Sequence, residues 1–130
     1  MHPELLSKLV FNNFCTVPAK VVLQLTTAFR DGGLCNRDGT FSYKDHLRDC
    51  RTPVLALAGD KDLICPPEAV YDFWAETVKL IPKHKVKYRV FGKPKGPHYA
   101  HYDLVGGRLA THEVYPCIIK FLSRYDRTGC

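Results

Sequence analysis

The 130-residue chain has no long hydrophobic run. Its longest apolar stretches, such as 54–58 and 117–122, break off within a few residues, whereas a helix that spans a bilayer needs about 20 apolar residues. No transmembrane segment is therefore expected. The start, MHPE, also lacks the basic region and the small-residue cleavage site of a secretory signal. The sequence thus favours an intracellular location without identifying the compartment.

Low-complexity tracts and internal repeats are absent as well, and a composition of 45% hydrophobic and 25% charged residues is typical of one ordinary globular domain. The cysteines are scattered, with no C-x-x-C pair and no Cys/His cluster of zinc-like spacing. We expect free thiols, no metal site and no cofactor. The six cysteines are at positions 15, 35, 50, 65, 117 and 130.

The formal net charge of +6 raises the possibility of a nucleic-acid partner, because basic residues crowd one segment. Along Lys85 to Val90, however, cations alternate with apolar residues, which is typical of a solvated edge strand. The sequence favours that interpretation, and no nucleic-acid partner is expected. The crowded basic residues are Lys79, Lys83, Lys85, Lys87, Arg89, Lys93 and Lys95.

The first 51 residues predict helices and turns. Apolar residues at helical spacing indicate a short amphipathic helix over Pro3 to Phe14. A second helix is expected with Thr16 as its cap, Pro18 in its first turn and Gly32-Gly33 as its stop. These two helices predict an αα-hairpin. A turn over 36–42, centred on Asp38-Gly39, and one or two helical turns over 43–49 complete the segment.

A βαβ unit is predicted from residue 52 onward. The continuous apolar run Pro53 to Ala58 indicates a strand buried on both faces, a helix follows over Glu68 to Leu80, and Lys85 to Phe91 forms the next strand. Such a unit places its two strands side by side and parallel. A final helix is expected over Leu109 to Ser123. Its inward-facing residues are predicted to be Leu109, Val114, Cys117, Ile118, Phe121 and Leu122.

Two polar loops follow these strands. The first loop supplies Asp60 and Asp62, and the second supplies His98, His101 and Asp103. Both loops leave from the carboxyl edge of the sheet, where ligands gather in parallel α/β proteins. A carboxylate there can accept the Nδ1 proton of a histidine and stabilise its imidazolium form. Taken singly, each residue also has an ordinary interpretation as a turn or loop residue, for Asp60 above all.

Both loops resemble those of a known family. Segment 59–67, GDKDLICPP, resembles the G-x-x-D-x-x-x-P loop after the seventh strand of α/β-hydrolases, and the triad acid of that motif falls on Asp62. Segment 98–104, HYAHYDL, resembles the histidine loop after the eighth strand. Its His-Tyr-Asp-Leu is similar to the His-Leu-Asp-Phe of the acid lipases, which indicates His101 rather than His98. Over most of its length the chain resembles a little-characterised group of plant α/β-hydrolase-fold proteins.

The resemblance implies an α/β fold: the C-terminal βαβα portion of an α/β-hydrolase sheet, preceded by a helical cap. The cap would cover 1–51, the core 52–126 and a tail 127–130. The implied activity is that of an esterase or lipase-like serine hydrolase acting on a small acyl ester, with Asp62 and His101 as catalytic residues.

One departure from the family pattern bears on activity. The family's nucleophile is a serine in a G-x-S-x-G elbow, which precedes the acid and the histidine in the chain. Ser7, Ser42 and Ser123 all lack the flanking glycines. We therefore expect a truncated hydrolase that is inactive alone. The alternative is a non-catalytic protein that uses the fold for binding. Truncation would leave the apolar run Val54 to Ala58 with an exposed edge, through which the chain is expected to self-associate.

Overall fold

In the computed structural model, residues 3–13, 15–82 and 85–126 are described. These ranges combine helices with a small parallel sheet of two strands, which is compatible with the predicted α/β class. Predictions that involve Phe14, Lys83, Cys130 or the tail 127–130 lie outside the described residues.

The sheet consists of β1 (Val54–Gly59) and β2 (Val86–Phe91). The strands are parallel and in register from Val54 opposite Val86 to Gly59 opposite Phe91, so both end at the same edge. This arrangement confirms the parallel neighbours that the sequence predicts. Ala56 and Ala58 are buried and lie on one face of β1, while the buried Gly59 belongs to the other.

The connection between the strands is helix α3 (Pro67–Leu80), which packs against both of them. Pro67 suits the first turn because proline has no amide hydrogen, and an amide hydrogen at that position would have no partner within the helix. The helix ends where Ile81 takes an extended conformation before Pro82, as the residue before a proline usually does. The phenol of Tyr88 on β2 donates a hydrogen bond of 2.9 Å to the carbonyl of Pro67, which ties the start of the helix to the sheet.

The core lies where the second loop meets the C-terminal helices. Phe91, Tyr99, Ala110 and Val114 form a buried cluster, with Leu57, Leu104, Cys117 and Ile118 packed against it. Helix α4 (Asp103–Gly106), which the sequence did not predict, precedes a π-helical segment (Ala110–Val114) and helix α5 (Tyr115–Tyr125).

The predicted inward face of the last helix is only partly right. Val114 is fully buried and Phe121 is 9% exposed, but Leu109 and Leu122 are 37% and 59% exposed. Leu109 is the N-cap of the π-helical segment and therefore lies outside the helix that was predicted to begin there. Leu122 lies in α5 beside the buried Phe121, on the side of the helix that faces solvent.

The N-terminal segment contains the two predicted helices, α1 (Pro3–Asn13) and α2 (Ala19–Leu25), the second continued by a 3₁₀ turn (Thr26–Phe29). The prediction that Thr16 caps the second helix is wrong, because Pro18 occupies the N-cap. Its carbonyl accepts the amides of Val21 and Val22 at 2.9 and 3.3 Å. The helix ends earlier than predicted, because its α-helical part stops at Leu25 and the 3₁₀ turn at Phe29. Gly32 and Gly33 lie in the turn that follows, with φ angles of 93° and 76° that favour glycine.

Residues 35–49 form a small turn structure. Cys35 and Ser42 pair in an antiparallel bridge, and Gly39 lies between them with a φ angle of 69°. The side chain of Asn36 closes the turn by accepting the amides of Thr40 and Phe41. A 3₁₀ helix (Lys44–Asp49) follows, so both the predicted turn and the predicted helical turns are confirmed.

Much of the apolar surface of the N-terminal segment is uncovered. Leu5, Leu6, Val10 and Phe11 of α1 are exposed, and α2 has no buried residue. The helices predicted for 1–51 are present. The role of this segment as a cap and its boundary at 51/52 stay predictions.

Candidate active site

The acid loop, residues 59–65, leaves the end of β1 and holds Asp62 in a fixed orientation. The residue is buried, and its Oδ1 accepts the amides of Ile64 and Cys65 at 2.9 Å each. Because one oxygen is committed to the loop backbone, the other, Oδ2, is left for a partner outside the loop.

The histidine loop, residues 92–102, leaves the end of β2 and is anchored by Tyr99. Tyr99 is 2% exposed, and its phenol donates to the carboxylate of Glu113 at 2.8 Å. Its backbone carbonyl accepts the amide of Lys61 at 3.0 Å. The buried tyrosine therefore joins the histidine loop to the core on one side and to the acid loop on the other.

The two residues that the sequence singled out as catalytic are in contact. His101 Nδ1 lies 2.9 Å from Asp62 Oδ2. With an ionised carboxylate as acceptor, Nδ1 carries the proton and donates it, so that Nε2 on the other side of the ring keeps its lone pair. The His101 side chain is 37% exposed, while that of Asp62 is 2% exposed. The arrangement is that of an accessible base oriented by a buried acid.

The surroundings of Asp62 keep it ionised. Burial acts to raise its pKa, but the hydrogen bonds from the Cys65 amide, from His101 and from the Ile64 amide outweigh burial, and the pKa lies below the ordinary carboxyl value. The carboxylate is therefore negative at neutral pH and able to stabilise a positive imidazolium at His101.

A second aspartate–histidine pair lies on the same edge of the sheet. His98 Nδ1 is 2.5 Å from Asp60 Oδ2, and Asp60 Oδ1 accepts the amide of Tyr99 at 2.9 Å. Burial acts to raise the pKa of Asp60, but these two bonds keep it below the ordinary value. Interpreting Asp60 as a simple turn residue was therefore incomplete, since its side chain reaches across to the histidine loop.

Gly92 makes room for this second pair. It has a φ angle of 131°, and a Cβ atom at this position would lie 2.0 Å from the Asp60 carboxyl carbon. The separations in sequence are nearly equal, 38 residues from Asp60 to His98 and 39 from Asp62 to His101, but this similarity does not by itself select the second pair. Asp103, the first residue of α4, has a different role: its Oδ2 accepts the amide of Ala100 at 3.0 Å and so connects α4 to the histidine loop.

A shallow cavity of about 360 Å³, open to solvent, lies beside His101. Its lining is mostly apolar, and one of its residues, Leu6, comes from α1 in the predicted cap. Leu63 and Ile64 border the cavity and are 93% and 65% exposed. The remaining lining residues are Lys61, Ala100, Tyr102 and Asp103. The imidazole therefore borders a space with room for a small, largely apolar molecule.

None of the chain's three serines lies in this cavity. Ser7 is an exposed residue of α1, Ser123 is an exposed residue of α5, and Ser42 donates its hydroxyl to the carbonyl of Gly32. In ranges 3–13, 15–82 and 85–126, no group of three or more His, Cys, Asp or Glu side chains is placed to hold a metal ion. Five cysteines are free thiols, those at 15, 35, 50, 65 and 117.

Ionisation of Tyr99 is expected to lower the stability of the chain in alkaline solution. Burial and the hydrogen bond to Glu113 raise the pKa of Tyr99 to about 12. An unfolded tyrosine loses its proton at pH of about 10, so above that pH the unfolded state binds fewer protons than the folded one and the free energy of unfolding falls. The free energy of unfolding, measured with urea across this pH range, should fall less steeply for Tyr99→Phe than for the wild type. Equal slopes for the two proteins would contradict the prediction.

No protein-family model, curated protein or solved structure matches the chain. In the part of the chain that the structure describes, no helix is long and apolar enough to cross a membrane.

Proposed function

We propose that the chain carries the acid and the base of an esterase or lipase-like serine hydrolase, within the C-terminal part of an α/β-hydrolase fold. The observation that carries this proposal is the hydrogen bond between His101 Nδ1 and the buried carboxylate of Asp62, at the carboxyl ends of two adjacent parallel strands. The chain order, acid before histidine, is also that of the α/β-hydrolase triad.

In this mechanism His101 acts first as a base and then as an acid. Its Nε2 takes the proton of a serine hydroxyl as the serine oxygen attacks the carbonyl carbon of an ester. The same proton then passes to the departing alcohol, and a water molecule activated in the same way releases the acid product. Asp62 remains ionised throughout and stabilises the imidazolium that forms at each step.

The serine of this mechanism lies outside residues 1–130. None of the chain's three serines stands in a G-x-S-x-G turn, and none lines the cavity beside His101. The backbone donors that stabilise the oxyanion belong to the residue after the nucleophile and to an earlier loop, so they too lie outside this sequence. Residues 1–130 alone should therefore be inactive towards esters.

The cavity supports a small acyl ester as the substrate. Leu6, Leu63 and Ile64 offer an apolar wall next to the imidazole, which suits a hydrocarbon acyl or alcohol group better than a charged one. The contribution of Leu6 also supports the proposed cap, because it brings the segment 1–51 to the border of the same space.

The test starts from the coding sequence. An in-frame G-x-S-x-G is expected upstream of the Met1 codon, within about 200 residues, which is the size of one domain. A protein that includes this extension should hydrolyse a short-chain ester and react with a fluorophosphonate probe at the elbow serine. The 130-residue chain should do neither. An upstream frame without the elbow, or labelling of the short chain, would refute the proposal.

A second candidate function is binding without catalysis, on the same fold. It is favoured by the absence of a nucleophile from the chain and by the exposed apolar side chains of α1 and α2. The upstream coding sequence discriminates between the two candidates, because a binding protein needs no elbow serine. We propose no nucleic-acid partner, since Lys87 and Arg89 are exposed on a strand edge whose alternating pattern has an ordinary explanation.

Self-association through the free edge of β1 is a further prediction. Among the described residues β2 is the only strand that pairs with β1, which leaves one row of backbone amides and carbonyls of an apolar strand without a strand partner. We expect the 130-residue chain to form oligomers or aggregates whose size rises with concentration, measured by size-exclusion chromatography with light scattering. A monomer that melts in one cooperative transition would contradict this.

A further inference from the structure

Four hydrogen bonds connect the acid loop to the segment 98–101 of the histidine loop. His98 and the Tyr99 amide bind the two carboxylate oxygens of Asp60, at 2.5 and 2.9 Å. The Lys61 amide binds the Tyr99 carbonyl at 3.0 Å. His101 binds Asp62 at 2.9 Å. The contacts follow one another in order along both loops, so the two loops lie alongside each other beyond the ends of the strands.

The sheet itself does not impose this arrangement. The last bond of the strand pair joins the Asp60 amide to the Phe91 carbonyl at 2.9 Å. The chain then makes a turn over 92–97, closed by the Gly96 amide and the Lys93 carbonyl, before it returns to the acid loop. The position of His101 therefore depends on contacts made after this turn.

Tyr99 alone does not fix the imidazole of His101. Its buried ring, its phenol, its amide and its carbonyl fix residue 99 in place. His101 lies two residues further along the chain, so its position also depends on how the loop is held on either side of Tyr99. The Asp60–His98 bond holds the loop at the residue that precedes Tyr99.

We propose that Asp60 and His98 are positioning residues, whose hydrogen bond clamps the histidine loop against the acid loop and thereby sets His101 Nδ1 on Asp62 Oδ2. Their importance for catalysis rests on the proposed function, whereas their effect on the Asp62–His101 bond does not. The clamp is a bond to an ionised carboxylate, which is stronger than one between neutral groups. It lies nearer to solvent than the bond it supports, since the His98 and Asp60 side chains are 45% and 23% exposed.

Two substitutions of His98 test the clamp in the 130-residue chain. His98→Ala removes the donor. His98→Asn keeps one, because the side-chain amide nitrogen of asparagine stands close to where Nδ1 was. The readout is the imidazole of His101, followed by NMR with ¹⁵N-labelled histidine. A proton on Nδ1 that is donated to a carboxylate gives a downfield resonance and a ¹⁵N pattern of the Nδ1–H form.

We expect His98→Ala to lose the downfield His101 resonance and to mix the two neutral imidazole forms, while His98→Asn retains the wild-type signals. Two control variants separate this effect from others. His112→Ala removes an exposed histidine outside both loops. Ile81→Val lowers stability at a core residue that is 2% exposed and lies outside both loops. Both should keep the wild-type His101 signals.

Sulfate is added equally to all samples, so that a loss of stability in His98→Ala is offset and the variant remains folded. Unchanged His101 signals in His98→Ala would overturn the proposal. Loss of the His101 signals in His98→Asn would also overturn it. So would their loss in Ile81→Val, because a lower stability would then be enough to explain the effect of His98→Ala. The proposed hydrolase function fails by a different result, the absence of an elbow serine or of probe labelling, so the two failures are distinguishable.

Discussion

Replacing Asp62 with asparagine is expected to lower the turnover of the nucleophile-containing form by a factor on the order of 10⁴. The new side chain would still accept the amides of Ile64 and Cys65 through its one oxygen, so the acid loop keeps its shape. Its NH₂ group would then face His101 Nδ1, which must act as an acceptor. The proton moves to Nε2, where it blocks the base from taking the serine proton.

This prediction is measured as kcat for a short-chain ester, with fluorophosphonate labelling as a second readout. Asp72→Asn is the matched control, because it makes the same change in charge at an exposed residue of α3, outside both loops. The control should retain its turnover. If Asp62→Asn loses less than about tenfold, a difference of about 1.4 kcal/mol in the activation free energy, Asp62 is not the orienting acid.

The meeting of the two loops could be predicted from the sequence on physical grounds, whereas the choice of Asp62 and His101 within them came from the family resemblance of the loops. A strand that is apolar throughout, a helix and a second strand leave few arrangements other than a parallel pair. Parallel neighbours end at the same edge, so the loops that follow the two strands begin close together. Asp62 and His101 follow β1 and β2 in the two loops that leave this edge, and their contact at 2.9 Å is consistent with this topology.

The hydrogen bond between Asp60 and His98 could not be predicted from the order of strands and loops. Asp60 stands in a Gly-Asp-Lys-Asp turn, where an aspartate has a sufficient local explanation, and His98 lies between Pro97 and Tyr99 in an irregular loop. The decision depends on the turn over 92–97, whose shape brings the chain back to Asp60. Loop shape is set by particular backbone angles, such as the φ of 131° at Gly92, which a residue pattern does not reveal.

Helix ends were predicted less well for a related reason. Thr16 is a good capping residue by type, yet the second helix begins after Pro18, whose missing amide makes it a natural boundary. Leu109 fits an apolar stripe only if a regular helix begins there, whereas it is the N-cap of a π-helical segment (Ala110–Val114). Apolar spacing reports the average period of a helix and does not locate a change in that period.

Replacing Gly59 with alanine is expected to destabilise the chain and to separate the two loops. The added Cβ would lie 2.3 Å from the Tyr99 carbonyl oxygen and 2.9 Å from its carbonyl carbon. Both atoms belong to the backbone, so relief requires the histidine loop to move away from β1. That movement weakens the Lys61–Tyr99 contact, and it draws His101 away from Asp62. Overpacking of this kind costs about 1–3 kcal/mol.

Gly39→Ala is the matched control for this effect. No atom lies within 4 Å of a Cβ at that position, and the φ angle of 69° is the only obstacle, so we expect a loss of about 1–2 kcal/mol. The free energy of unfolding can therefore fall by similar amounts in the two variants. Only Gly59→Ala should also lose the downfield His101 resonance, because only its clash is with the histidine loop. If both variants keep that resonance, contact between Gly59 and the Tyr99 backbone is not what holds His101 against Asp62.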